Sequence, residues 1–235
     1  MLLSLDSLLQ WSRGLGEDIV LSVKTEEEFQ ESRLFPEERL LLSEKAVLKR
    51  RKEFSLGRQA AHEAYSHLTR RHAVPVLRGP YREPLWPEGV IGSLSHSGPA
   101  AIAAVGWKKH YAGIGIDIEF ITRTLSSDIA CRVCDHTELD WVKSASDNAA
   151  SQLRLHTVFS AKEAVFKAFF PMEYVMLDFF DAHLEWDEGL GKFRGQLFKS
   201  PGQHIQPGVR FAVNCHLTEH YVCTLVLLRN QYNGV

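Results

Sequence analysis

The strongest periodic pattern begins at Pro36. From there to about Leu68 apolar residues (Leu40, Leu41, Val47, Leu48, Phe54, Ala61, Tyr65) recur at helical spacing. Pro36 suits a first helical position, and Glu37 and Glu38 suit the positive end of a first turn. The stretch has room for one break. From Val74 to Gly92 the periodicity dissolves among Pro75, Gly79, Pro80, Pro84, Pro87 and Gly89, which predicts an irregular loop. Two short buried strands are then predicted, Ile91–Ser95 and Ala100–Val105, around a turn at Ser97-Gly98-Pro99. A third covers Gly113–Glu119, where Ile114, Ile116 and Ile118 alternate with Gly115, Asp117 and Glu119. Ser127–Val142 reads as helical, with Thr137-Glu138 starting a turn. Ser151–Phe170 is the clearest helix, expected to close at Pro171. Asp178–Leu228 alternates like antiparallel sheet, best at Phe211–Val213 and Tyr221–Leu228. Helices and strands do not alternate regularly, so the fold class is α+β and not doubly wound α/β. No internal repeat is visible. The expected seam lies near Lys109–Ala112 and divides the chain into residues 1–111 and 112–235.

Composition narrows the class. Hydrophobic residues make up 45% and charged residues 24% of the 235, as in ordinary soluble proteins. No apolar run approaches the roughly 20 residues a spanning helix needs, so no membrane role and a cytoplasmic location are expected. Met1–Leu9 is apolar, but Asp6 interrupts it and no basic segment precedes it. It reads as mature structure and not as a signal peptide. A net charge of -2 argues against nucleic-acid binding, which wants a basic surface. A local phosphate pocket remains compatible with the run Lys49-Arg50-Arg51-Lys52. Among four cysteines, Cys131 and Cys134 form one CxxC near His136. Without a second ligand pair it reads as free thiols and not as a zinc site.

Four constellations could carry chemistry. A strand's period of two puts Asp117 and Glu119 on one face. Two carboxylates there repel unless a cation lies between them, and Mg²⁺ is the cation that one or two carboxylates plus substrate phosphates suit. Along Phe159–Phe170, His156, Ser160, Glu163 and Lys167 form one polar seam on a helix otherwise apolar nearly all round, with Lys162 pointing away from it. In Gly92–Gly98, backbone N–H groups and His96 could receive a phosphate. Arg51 and Arg58, seven apart, share a helix face, and Arg82 could join them around an anion. Each has a bland counterpart: a solvated strand face, an i,i+4 surface pair, a turn histidine, solvated arginines. Gly113-x-Gly115 is not a dinucleotide fingerprint, since the third glycine is missing and strand continues where a helix should open. Ser95 lacks the flanking glycines of a hydrolase elbow.

Taken in order, these pieces resemble the Sfp-type 4'-phosphopantetheinyl transferase superfamily. Gly115-Ile116-Asp117-Ile118-Glu119 is similar to its first signature and Phe159–Lys167 to its second. Ser95-His96 is similar to its Ser-His element. Glu53–Arg58 and Arg82–Pro87 are similar to elements of the enterobactin-synthetase component D-like subgroup. The resemblance implies two similar α+β halves related by a pseudo-twofold, in a monomer, with the active site in the cleft between them. The N-terminal half would carry coenzyme A nucleotide-binding elements and the C-terminal half the metal-binding and catalytic motifs. It implies transfer of the phosphopantetheine arm of coenzyme A, the co-substrate, to a serine of an apo acyl or peptidyl carrier protein, with release of 3',5'-ADP. Asp117, Glu119 and Glu163 would hold Mg²⁺, with Mn²⁺ as an alternative. Lys167 would contact the pyrophosphate and assist the leaving group. Ser95, His96, Arg51, Arg58 and Arg82 would bind the phosphates of coenzyme A. Two roles are open to Glu163, metal ligand and general base. The subgroup suggests a peptidyl carrier of siderophore synthesis, and Ile121–Val142 is the expected docking segment.

Two other classes are distinguishable. A non-catalytic coenzyme A or carrier-protein binding module on the same fold predicts loss of a metal carboxylate, and none is lost. A serine hydrolase using Ser95 and His96 needs a direct bond between side chains that point to opposite strand faces.

Overall fold

The structure, a computed structural model, describes residues 5–122, 124–199 and 205–230. Residues 1–4 of the apolar N-terminal stretch and 200–204 of the expected sheet region lie outside the described residues. The chain forms two compact units. One comprises the residues through Ile114, joined by the segment from Arg229; the other is Gly115–Leu228.

The first unit contains α1 (Asp6–Arg13), β1 (Ile19–Thr25), α2 (Pro36–Arg39), α3 (Leu48–Thr69), a small hairpin of β2 (Leu77–Arg78) and β3 (Pro84–Leu85), β4 (Val90–Ser97) and β5 (Ala100–Trp107). The strands form an antiparallel sheet in the order β1-β5-β4, with Val20 opposite Val105 and Ser95 opposite Ile102. Helix α3 packs on it through Ala60, Ala61, Ala64 and Tyr65 against Val76, Val90, Ala103 and Val105. The small side chains of α3 and β5 allow close approach, and burial of this apolar surface stabilises the unit.

The helical stretch expected from Pro36, with room for one break, has that break at Leu40–Val47. Glu38 anchors the short helix that remains, α2. It is wholly buried, and its carboxylate accepts from the N–H of Phe35 (3.1 Å) and of Val76 (2.8 Å) and lies 2.8 Å from His62 Nε2. The residue read as a first-turn charge thus ties the short helix into the core.

Strand β6 (Tyr111–Phe120) leads from the first unit into the second, which contains α4 (Ser127–Val133), α5 (His136–Lys143), α6 (Asn148–Glu173) and strands β7 (Ala182–Asp187), β8 (Lys192–Leu197), β9 (Arg210–Leu217) and β10 (Tyr221–Arg229). The sheet order is β6-β10-β9-β8-β7. Its core gathers Val158, Ala161, Val165 and Phe169 of α6 with Leu184, Phe193, Val213 and Val226 of the sheet. The fold is α+β, as the pattern predicts.

Two sequence expectations need correction here. Ser127–Val142 is two helices, because Asp135 caps the second: its side chain accepts from Glu138 N at 2.9 Å. Pro171 does not close α6, which runs on to Glu173 and ends at left-handed Tyr174. A proline so near the C-terminus removes one helical bond, and Tyr174 N still donates to Phe170 O at 2.7 Å.

Candidate functional site

The site in the second unit is built on one close contact. A Cβ placed on Gly115 would lie 1.8 Å from Ala164 O and 2.6 Å from Ala168 N. Only glycine lets α6 lie this close to β6. Period-two alternation puts Asp117 and Glu119 on the face that Gly115 turns to the helix. Glu163 and Lys167 flank Ala164 and Ala168 in sequence. The result is direct: Lys167 Nζ donates to Asp117 Oδ1 at 2.6 Å, with Asp117 2% exposed. Such charge-assisted bonds are about twice as strong as neutral ones.

Glu163 is partly buried. Burial pushes its carboxyl above the ordinary range, Lys167 works against this, and the charge of Asp117 adds to the rise. Asp117 and Glu163 therefore sense one another, while Glu119 is partly exposed two residues along the same strand face. The remaining seam residues point inward: Ser160 Oγ lies 2.9 Å from Thr224 Oγ1 on β10, and His156 is buried. Beside Glu163 a cavity of about 220 Å³ is walled by Val165, Phe166, Met176, Leu177 and Phe179.

Lys162 points away from the seam, as its helical spacing predicts, but into the core. It is buried, paired to Glu138 at 2.8 Å, and donates to the carbonyls of Phe179 (2.7 Å) and Ala182. Among the described residues, Asp135, Glu138 and His183 bring their ligand atoms within 4.8 Å of one another. Those atoms already have partners. Glu138 accepts from the N–H of Asp135 and of Leu184, both at 2.8 Å, and Asp135 Oδ2 lies 2.6 Å from His183 Nδ1. This is a structural network that joins α5 to β7. Burial alone would raise Asp135, but hydrogen bonds from Glu138 N–H, His183 and Thr137 hold it at about 2.

The first unit carries a predominantly basic pocket of about 280 Å³ lined by Arg50, Arg58, Arg78, Arg82, His96 and Phe54, with Glu53 lying 3.9 Å from both Arg50 and His96. Arg58 is 7% exposed, and its guanidinium lies 4.6 Å from the centre of the Phe54 ring. Its buried Nε has no hydrogen-bond partner. Burial pulls its pKa down to about 10; Glu38 opposes this, and Arg50 and Arg78 add to the fall. Like charges gathered around an unsatisfied buried donor are a site prepared for an anion. Arg82 sits at φ 73°, held by its N–H to Gly79 O and by Gly79 N–H to Glu83 O.

The predicted residues therefore fall into groups. Asp117 and Lys167 are joined and Glu163 is coupled to them; Arg58, Arg82 and His96 line one pocket. Arg51 does not line it: its guanidinium grips Glu31 through Nε (2.9 Å) and Nη2 (2.5 Å). Ser95 is buried and His96 exposed, as neighbours on a strand must be. The sequence offers Arg50 only within the basic run Lys49–Lys52, without singling it out, and offers no sign of Arg78. Phe54 was the available signal for Arg50, since it lies four residues from both Arg50 and Arg58 on α3 and both cations approach its ring. Arg78 lies in the aperiodic Pro/Gly stretch and gave none.

Two family descriptions match: the 4'-phosphopantetheinyl transferase N-terminal domain over residues 36–106 and the 4'-phosphopantetheinyl transferase superfamily over residues 113–226. The chain belongs to the 4'-phosphopantetheinyl transferase superfamily. It is 36% identical over 166 residues to 4'-phosphopantetheinyl transferase Npt of Nocardia iowensis, covering 68% of this chain and 72% of Npt. It is 34% identical over 159 residues to PptT of Mycobacterium tuberculosis, covering 65% of each chain. With enterobactin synthase component D of Salmonella typhi it shares 37% over 122 residues, 52% of this chain and 49% of that protein. The chain thus spans from about half to somewhat over two thirds of these relatives. Among solved structures it is similar to a holo-(acyl-carrier-protein) synthase from Bacillus anthracis in complex with CoA (3',5'-ADP), at TM-score 0.40 and 19% identity, covering 52% of this chain and 99% of that one.

Proposed function

We propose that this protein transfers the 4'-phosphopantetheine arm of coenzyme A to a serine of an apo carrier protein and releases 3',5'-ADP. The observation that carries the reading is the contact at Gly115, which sets the carboxylates of a strand against a glutamate and a lysine of α6. Family membership and relatives named for this activity support it.

The donor set of Asp117, Glu119 and Glu163 is all carboxylate oxygen, which fits a hard divalent cation such as Mg²⁺, with Mn²⁺ as an alternative. These three residues would hold it. When bound, it neutralises charge on the phosphate oxygens and aligns them. The rest falls to the chain's own groups. Glu163 also has a carboxylate oxygen to spare for the proton of the acceptor serine hydroxyl, directly or through water. The serine oxygen bonds to the β-phosphorus, and the bond from that phosphorus to the bridging oxygen of 3',5'-ADP breaks. Lys167 stabilises negative charge on the departing phosphate. The four-arginine pocket with His96 takes a phosphate of the nucleotide, and Arg50 and Arg78 join Arg58 and Arg82 in that role. Ser95 supports the strand that presents His96, and Arg51 supports α3 through Glu31.

We read the protein as magnesium-dependent, monomeric and cytoplasmic. Among the described residues no helix is long and apolar enough to cross a membrane. The enterobactin synthase relatives favour a peptidyl carrier of siderophore synthesis. The test is to mix the protein with an apo carrier, coenzyme A and Mg²⁺ and weigh the carrier. A phosphopantetheine adduct is expected; none on any of several apo carriers sinks the proposal.

A further inference from the structure

We infer that Lys167 is the resting occupant of Asp117 and competes with a divalent cation for it, so that the anionic co-substrate must draw the lysine away before the cation binds tightly. The inference rests on the reading given above for Asp117, Glu119 and Glu163. It adds that cation and co-substrate bind cooperatively, and it names the residue that couples them.

The geometry supplies the argument. Asp117 is 2% exposed, and a buried carboxylate left without a counter-charge is costly. Lys167 Nζ meets this need at 2.6 Å from Oδ1. The ammonium is in place because Gly115 lets the helix backbone lie against the strand, so the pair forms without any ligand. A cation bound to the same carboxylate would share it with a positive charge already in contact. Lys167 is about a quarter exposed, while Asp117 is nearly sealed. The lysine is therefore the mobile partner, and its flexible stem can carry the charge to another anion. A pyrophosphate arriving at the site offers the lysine that anion and offers the cation further oxygens. Each ligand then improves the site for the other, and linkage requires that the gain be reciprocal.

The competition makes a prediction opposite to that of a simple helper residue. Loss of a helper weakens cation binding, whereas loss of a competitor strengthens it. The experiment measures Mn²⁺ binding to the full chain by the electron paramagnetic resonance signal of free Mn²⁺, with and without coenzyme A and with no carrier present. Wild type, Lys167→Met and Lys167→Gln are compared, with Asp117→Asn as the control that marks the site. Wild type is expected to bind Mn²⁺ at least about fivefold tighter with coenzyme A than without, the lower end of ordinary coupling. Lys167→Met is expected to bind Mn²⁺ at least about fivefold tighter than wild type without coenzyme A, and to gain less from its addition. Lys167→Gln, which keeps a neutral donor for Asp117, protects against misfolding of the methionine variant and should fall between the two. In thermal melts Mn²⁺ alone should raise the melting temperature of the variants more than that of wild type. Variants that bind Mn²⁺ no tighter than wild type overturn the inference and leave the transferase reading intact. No Mn²⁺ bound by wild type with coenzyme A, or binding untouched by Asp117→Asn, overturns the metal assignment and this inference with it.

Discussion

Gly115→Ala tests whether the strand–helix contact makes the site. The added methyl carbon would meet Ala164 O at 1.8 Å and Ala168 N at 2.6 Å, and both are backbone atoms that cannot rotate away. To restore ordinary contact of roughly 3.5 Å, α6 must retreat by roughly 1.5–2 Å. That displacement is enough to break the 2.6 Å bond between Lys167 and Asp117. Overpacking of this kind costs about 1–3 kcal/mol. Misplacement of reacting groups by about 1 Å can cost about 100-fold in rate. The expected outcome is a cooperatively folded protein, destabilised by about 1–3 kcal/mol, with turnover down by about 100-fold or more. Thermal or urea melts read the first quantity, and initial rates of carrier modification at saturating coenzyme A read the second. A Gly115→Ala protein with wild-type stability and wild-type turnover would show that α6 does not lie on β6 at this residue, and the placement of Glu163 and Lys167 would fall with it.

Further outcomes follow from the same geometry. Arg58→Met keeps packing on Phe54 but removes a buried charge whose Nε has no partner; coenzyme A affinity should fall by about 10-fold or more while the free protein melts no lower, and a lower melting temperature with unchanged affinity would contradict the anion pocket. Lys162→Met strands the buried Glu138 and should cost about 3–5 kcal/mol, and Lys162→Met/Glu138→Gln, which removes the stranded charge but keeps an acceptor for the backbone, should cost less than the sum of its single variants; a fully additive double variant would refute the pairing. Asp135 has a folded pKa near 2, below its unfolded value, so its contribution is present above about pH 4 and is lost as pH falls toward 2. Acid melts of Asp135→Asn should show a shallower loss over that window, and an identical slope would count against the network.

The sequence made the site's composition legible more readily than its geometry. Alternation placed Asp117 and Glu119 on one face, and helical spacing collected Ser160, Glu163 and Lys167. Neither pattern could show that the two elements touch, because that depends on the missing side chain of Gly115. Strands β4, β5 and β6 each extend one to two residues beyond their apolar runs at one or both ends, as strands do when neighbours supply the outer hydrogen bonds. Strand β1 went unread although Ile19, Val20, Leu21 and Val23 form an apolar run as long as that of β4, and its pairing with β5 defines it. The arginines show the limit most clearly. Arg51 and Arg58 share a helix face by spacing, yet a glutamate twenty residues upstream of Arg51 claims it. The break in Ser127–Val142 falls at Asp135, which caps the second helix two residues before the turn expected at Thr137-Glu138. Lys162 was read as pointing away from the functional seam, and its buried partner Glu138 lay on a different helix.

The central claim is that the carboxylates and lysine gathered at Gly115 catalyse phosphopantetheine transfer. The most direct measurement is the mass of an apo carrier protein after incubation with coenzyme A, Mg²⁺ and either wild type or Glu163→Gln. The account predicts one phosphopantetheine group per carrier and one 3',5'-ADP released with wild type. With Glu163→Gln it predicts no adduct while coenzyme A still binds. An adduct formed at the wild-type rate by Glu163→Gln would contradict it.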